Sequence, residues 1–210
     1  VIALMMTAVV APGVPLLVAP DTPAGFARVA ASEAVIGLIF GLGLRLLVLG
    51  LQTAGSIAAQ ATSLAQILGA ASVEPIPAMG YILVVAGLAL AMMTGLHVEA
   101  ARLLIGSYDL FPAGRFPDGV DVAAWGVAHV SRAFQLAFQL AAPFVIASII
   151  YYVALGVINR AMPQLMVAFV GAPPITWGGL VLLLLAAPAM LEVWRAALGT
   201  YLIDPMAPPG

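Results

Sequence analysis

Between residues 79 and 96 the chain runs for eighteen positions without a charge, and further apolar stretches lie at 1–19, 26–50, 142–158 and 177–191. A run of about 18 to 20 apolar residues is long enough to cross a bilayer as a helix, and helices satisfy their own backbone in lipid. Only 8% of the 210 residues are charged, where soluble domains carry about 25%. The mean hydropathy of +1.16 agrees with a polytopic membrane protein. The expected fold is all-α, a polytopic integral membrane protein of long, kinked helical hairpins forming a single helical membrane domain over 1–210. Its N-terminal hydrophobic segment is expected to be incomplete, because Val1 stands inside an apolar run.

The seven cationic residues are all arginine and the net charge is −2, which speaks against nucleic acid as a partner. No polybasic patch is present for anionic lipid. There is no cysteine, so disulfides, thiolate catalysis and cysteine metal sites are excluded. His97 and Glu99 lack the spacing of a metal motif, and His129 lies far along the chain. No catalytic residue, metal or cofactor is expected. The scattered arginines give no orientation by the positive-inside rule.

Asp21, Thr22 and Pro23 form a turn, with Asp21 as N-cap of a helix over 26–50. That helix carries Glu33 and Arg45, about 18 Å apart and therefore unable to pair with each other. Gly37 and Gly41 form a GxxxG pattern that admits a close neighbouring helix. A second helix, 52–71, places Gln52, Ser56, Gln60 and Ser63 on one face, and Glu74, Pro75 and Pro77 end it. These side chains either hydrogen-bond across a helix pair or face water or another subunit. Glu99 and Arg102 form an i, i+3 pair on a helix continuing from the 79–96 span.

Residues 107–114 read as a turn-rich loop with Tyr108, Phe111 and Pro112, flanked by Gly106 and Gly114. Asp121 can cap the next helix, 123–158, which sets His129, Arg132, Gln135 and Gln139 on one face and carries a kink at Pro143. Such a helix exceeds 50 Å and outruns a bilayer core. Asn159, Arg160 and Gln164 interrupt the apolar sequence beside Pro163, and breaks are expected there and at Pro173 and Pro174. Glu192, Trp194 and Arg195 mark an interface, and 201–210 is a tail. Glu33, Arg45, Gln52, Ser56, Gln60, Arg132, Gln135, Gln139, Arg160 and Gln164 are the candidate structural or subunit-interface polar residues.

Several segments together resemble the flagellar biosynthetic protein FliR family of type III secretion. Ser32-Glu-Ala-Val-Ile-Gly-Leu-Ile-Phe-Gly41 is similar to its early E-x-x-x-G-x-x-x-G helix. Ala54-Gly55 with Gln60, Glu74-Pro75, Gly95-Leu-His97 with Ser107-Tyr108 and Phe111-Pro112, and Ala154-Leu-Gly156 with Asn159-Arg-Ala-Met-Pro-Gln164 resemble further family motifs. Met166, Ala168 and Thr62 depart from it. The resemblance implies a non-enzymatic subunit of an export gate in the bacterial inner membrane, at the centre of the flagellar or injectisome basal body. It implies the sister subunits FliP and FliQ and the switch subunit FlhB as partners, and unfolded export substrates as cargo. It also implies that Tyr108, Phe111 and Pro112 belong to a loop plugging the passage; anchoring at a membrane interface is the other reading of that loop. From another class, a small-solute secondary transporter would use Glu33, Arg45 or Arg160 as intramembrane sites.

Overall fold

The computed structural model describes residues 7–8, 11–13, 22–62, 78–162 and 167–207. After a short 3₁₀ turn at Ala11–Gly13 come five helices: α1 Pro23–Ala61, α2 Ala78–Met93, α3 Leu96–Leu110, α4 Gly119–Ala161 and α5 Val167–Ile203. No strand occurs among the described residues. By length and composition α1, α4 and the 173–203 part of α5 can each cross a membrane, and α2 with α3 makes a fourth candidate bent by 73°. The all-α polytopic expectation holds. Two compact units are formed, one from Val1–Leu46, Ala89–Arg132 and Ala197–Gly210, the other from Leu47–Leu88 and Ala133–Ala196.

In the second unit α1 is the hub. Its buried residues Leu47, Leu51, Ala54 and Ala58 recur every three or four positions, one helical stripe. Small residues let other helices reach its backbone. A Cβ on Gly55 would collide with Gly80 of α2, and one on Gly50 would press on the Ala133 carbonyl of α4. Gly87 of α2 lies against Leu51, and Gly179 of α5 against Thr62. Residues rising along α1 thus meet residues falling along α2 and α5, and rising along α4, an up-down-up-down bundle. Trp194, 1% exposed, donates its indole N–H to the Leu47 carbonyl at 2.9 Å, and the Tyr152 hydroxyl donates to the Ala61 carbonyl at 3.2 Å. At the α4–α5 hairpin the Tyr151 hydroxyl donates to the Gly171 carbonyl at 2.7 Å, and Gly171 packs on Leu155.

In the first unit Tyr201 of α5, 5% exposed, donates its hydroxyl to the Phe40 carbonyl of α1 at 2.9 Å. Its ring lies over Gly43, where no side chain would fit. Trp125 of α4 donates to the Pro205 carbonyl at 2.8 Å, stacks on His129, and His129 meets Tyr201 edge-on. The C-terminal segment is tied down through side chains that read as a tail in sequence.

Several expected boundaries are corrected. The helices expected at 26–50 and 52–71 are one helix from Pro23 to Ala61, because Gly50 and Gly55 serve close packing rather than a break. Thr22 caps it, its hydroxyl accepting from the Gly25 N–H at 3.1 Å; Asp21, Ser63, Glu74, Pro75 and Pro77 lie outside the described residues. The span expected at 79–96 stops at Met93. Gly95, at φ 93°, takes a left-handed conformation that β-carbon residues resist, and α3 starts in a new direction. Asp118, not Asp121, caps α4, its carboxylate accepting from the Val120 N–H at 2.8 Å. Pro173 and Pro174 sit inside α5, as do Pro188 there and Pro143 in α4, without ending either helix. External contacts at Gly171 hold the Pro-rich turn in place. Trp194 belongs to the core and not to an interface; only its neighbours Glu192 and Arg195 are outside, where they pair with each other (Arg195 Nε to Glu192 Oε2 3.0 Å).

Trp194→Ala should therefore destabilise the protein by about 3–5 kcal/mol, and Trp194→Phe by about 1 kcal/mol through loss of the hydrogen bond. Heat-induced loss of detergent-extracted protein, followed by size exclusion, measures both. Identical melting of wild type and Trp194→Ala would contradict a packed indole.

Candidate functional site

The loop after α3 lies further along the chain than its sequence suggests. Residues 107–110 complete α3, so Tyr108 and the flanking Gly106 are helical, and the reversal is confined to 111–118. The Phe111 N–H closes the helix on the Ser107 carbonyl at 2.8 Å, and the Arg115 N–H bonds the Pro112 carbonyl at 3.2 Å. Gly114 makes the tight turn at φ 77°, a left-handed position that suits glycine. Pro112 is exposed; Tyr108 and Phe111 are half-buried.

What the two rings meet is one face of α1. Phe111 packs on Phe40, ring centroids 6.1 Å apart and planes tilted by 59°. Tyr108, in the last turn of α3, is on the side of Glu33. The Gly114 N–H also points to Glu33, at 3.4 Å from Oε1. Val29 sits beneath Gly114, where an added Cβ would come within 3.2 Å of its side chain. Val29, Glu33 and Phe40 stand 4 and 7 residues apart, so they share a helix face, with buried Ile36 between them. A carboxylate within an apolar helix thus finds its partner across 81 residues of sequence. Glu33 was legible from sequence as a polar residue needing a partner. Phe40 and Val29 were not, since ordinary apolar residues on an apolar helix carry no signal of what they touch.

The remaining polar residues stay outside the bundle. Gln52, Gln60, Gln135 and Gln139 are exposed, and among the described residues their amides have no hydrogen-bond partner. Ser56 donates to the Gln52 carbonyl of its own helix at 3.0 Å. Arg132 is half-buried and engaged, and Arg45 is exposed. Among the described residues none of the four glutamines bonds across a helix pair. Arg160 is exposed in the last turn of α4, where a cation is favoured by the helix dipole, and no side chain among the described residues pairs with it. Gln164 and Pro163 lie outside the described residues. Gly37 and Gly41 have nothing among the described residues within 4 Å of a Cβ position. Glu99 and Arg102 pair at 2.8 Å on the surface. Among the described residues no three His, Asp or Glu side chains gather as metal ligands.

Long apolar helices and a bent helix pair define a polytopic membrane protein, with glutamine amides that find no partner among the described residues. Comparison with known proteins narrows this. Residues 1–201 match the model of the bacterial export proteins, family 1. The chain is 35% identical over 196 residues to the flagellar biosynthetic protein FliR of Caulobacter vibrioides, covering 91% of this chain and 78% of that relative. The chain belongs to this family of bacterial export proteins, the FliR family.

Arg160→Ala should weaken the protein's assembly with other export subunits, with Arg160→Lys restoring it in part, because lysine keeps the charge at the helix end but loses the planar fork. The expected loss is about 1 kcal/mol in the first case. Co-purification yield measures it, and wild-type yield from Arg160→Ala would make the side chain a solvated cation.

Proposed function

We propose that this chain is a non-enzymatic subunit of the type III protein export gate of a bacterial flagellum, set in the inner membrane. The family match over residues 1–201 carries the reading, since it makes the chain a component of the flagellar export apparatus that works with other export subunits. FliP, FliQ and FlhB are the partners proposed, and the shared channel would pass unfolded export substrates.

Two physical features support a place inside an assembly. Unpaired amides in hydrocarbon cost several kcal/mol together, so Gln52, Gln60, Gln135 and Gln139 call for protein or water beside them. Gly37 and Gly41 leave an apolar helix face smooth enough for a partner helix. In the same reading Tyr108, Phe111 and Pro112 form the plug of the idle gate. A passage wide enough for an unfolded chain leaks ions unless apolar side chains close it and exclude water.

Expressed without partner subunits, the protein should give low yield or aggregate; a monodisperse monomer stable in both detergent and bilayers would count against the assembly. The mass and composition of the particle extracted in mild detergent test the partners directly. Tyr108→Ala with Phe111→Ala should leave that particle assembled and make it leak ions, read as membrane conductance or growth arrest in cells expressing the whole gate. A double variant as tight as wild type would return the loop to a membrane-interface anchor.

A further inference from the structure

We propose that α1 holds the 108–114 loop shut through a clasp of Val29, Glu33 and Phe40, and that this clasp must release for a substrate to pass. The inference rests on the plug reading above and adds the element that positions the plug.

The geometry points to Glu33 as the determining residue. Val29 and Phe40 offer contact surfaces, beneath Gly114 and against Phe111, which tolerate sliding. Glu33 is the polar member of that face, and its side chain accepts from the Gly114 N–H in the turn. A hydrogen bond depends on direction where apolar contact does not, so it selects one position of the loop. The 3.4 Å separation at Gly114 and the half-buried state of Glu33 and Phe111 make this a looser hold than a buried hydrogen bond, although release uncovers the Phe40 ring, 2% exposed in the closed arrangement. The wholly buried contacts of the same unit, at Tyr201 and Trp125, are of the other kind, short and enclosed. Glu33 is thus a positioning residue, acting through the loop and not on the substrate.

The test uses the complete gate, this chain expressed in cells with its sister export subunits. Glu33→Ala should leave the particle assembled and raise ion leak about tenfold, the shift expected from losing a charge-assisted hydrogen bond. Glu33→Gln keeps an acceptor oxygen and should leak only about two- to threefold more than wild type. Glu99→Ala, which removes the exposed surface pair, should not leak. If Glu33→Ala is tight while the Tyr108/Phe111 double alanine variant leaks, the plug stands and the clasp is wrong. If both are tight in assembled particles, the plug reading fails and takes the clasp with it. Should Glu33→Ala fail to assemble, the second arm decides. The chain has no cysteine, so Phe40→Cys with Phe111→Cys offers one pair for a short, reducible bis-methanethiosulfonate linker. Linked gates should export at background level and leak less than the same variant after reduction, the reduced variant being the reference because Phe111 belongs to the plug. Export at the wild-type rate through linked gates would show that the loop does not leave α1, and would overturn the proposal.

Discussion

In each of the two units the backbone of α1 is an acceptor surface for aromatic donors. Its Phe40 carbonyl takes the Tyr201 hydroxyl in the first unit, and its Leu47 and Ala61 carbonyls take Trp194 and Tyr152 in the second. Leu47 and Ala61 are 14 residues apart with buried Ala54 midway, so within the second unit they share one side of the helix. A helical carbonyl already serves its own i+4 amide and has a second lone pair to offer. In a membrane the hydrophobic effect does not press helices together, so close packing and such hydrogen bonds must do it. Small residues make the approach possible, with Gly43 under the Tyr201 ring and Gly50 and Gly55 under α4 and α2.

That economy leaves a deficit. Buried aromatic donors find main-chain acceptors, while the neutral amides of Gln52, Gln60, Gln135 and Gln139 find nothing among the described residues. A polar group that is idle inside one chain and costly in lipid is a constraint on what must stand next to it. Glutamine suits a surface of this kind better than a charged residue would. Its desolvation is far cheaper than that of an ion, and it offers both a donor and an acceptor to whichever partner arrives. An export subunit that is built to be completed by others would be expected to carry its polar surface in this neutral form.

Much of the architecture was legible in the sequence because a bilayer permits so few solutions. The spans, the i, i+3 pair of Glu99 and Arg102 and the isolation of Glu33 from Arg45 all follow from length, spacing and charge. What failed was the reading of glycine, proline and aromatic residues. Gly50 looked like a helix end and is a packing surface, whereas Gly95 looked unremarkable and is the bend. Both are glycine in apolar sequence; only the neighbours distinguish them. Pro173 and Pro174 signal a break by local rules, yet tertiary contacts at Gly171 carry the helix through. Trp194 suggests an interface and Tyr201 the start of a tail, but each finds a main-chain acceptor 147 or 161 residues away. Periodicity cannot report a contact at such separation. The same limit hid Phe40 and Val29, half of the candidate site, while the lone carboxylate between them was visible.

A seal and a passage make opposite demands on one loop, and the contacts at 108–114 bear on how both can be met. Apolar contact alone would close a pore, but rings that merely touch settle into many arrangements of similar energy, and a seal needs one. A buried, short hydrogen bond such as that of Tyr201 to Phe40 would fix the arrangement and also make it permanent on the time scale of export. A half-buried carboxylate between two apolar seats falls between these limits. It selects one position of the loop by direction, and its exchange of partners with water or with an entering chain costs little, because solvent is already close. If the loop is the plug, the placement of Glu33 in α1 also ties the seal to the stretch of helix whose Phe40 carbonyl accepts the Tyr201 hydrogen bond within the same unit.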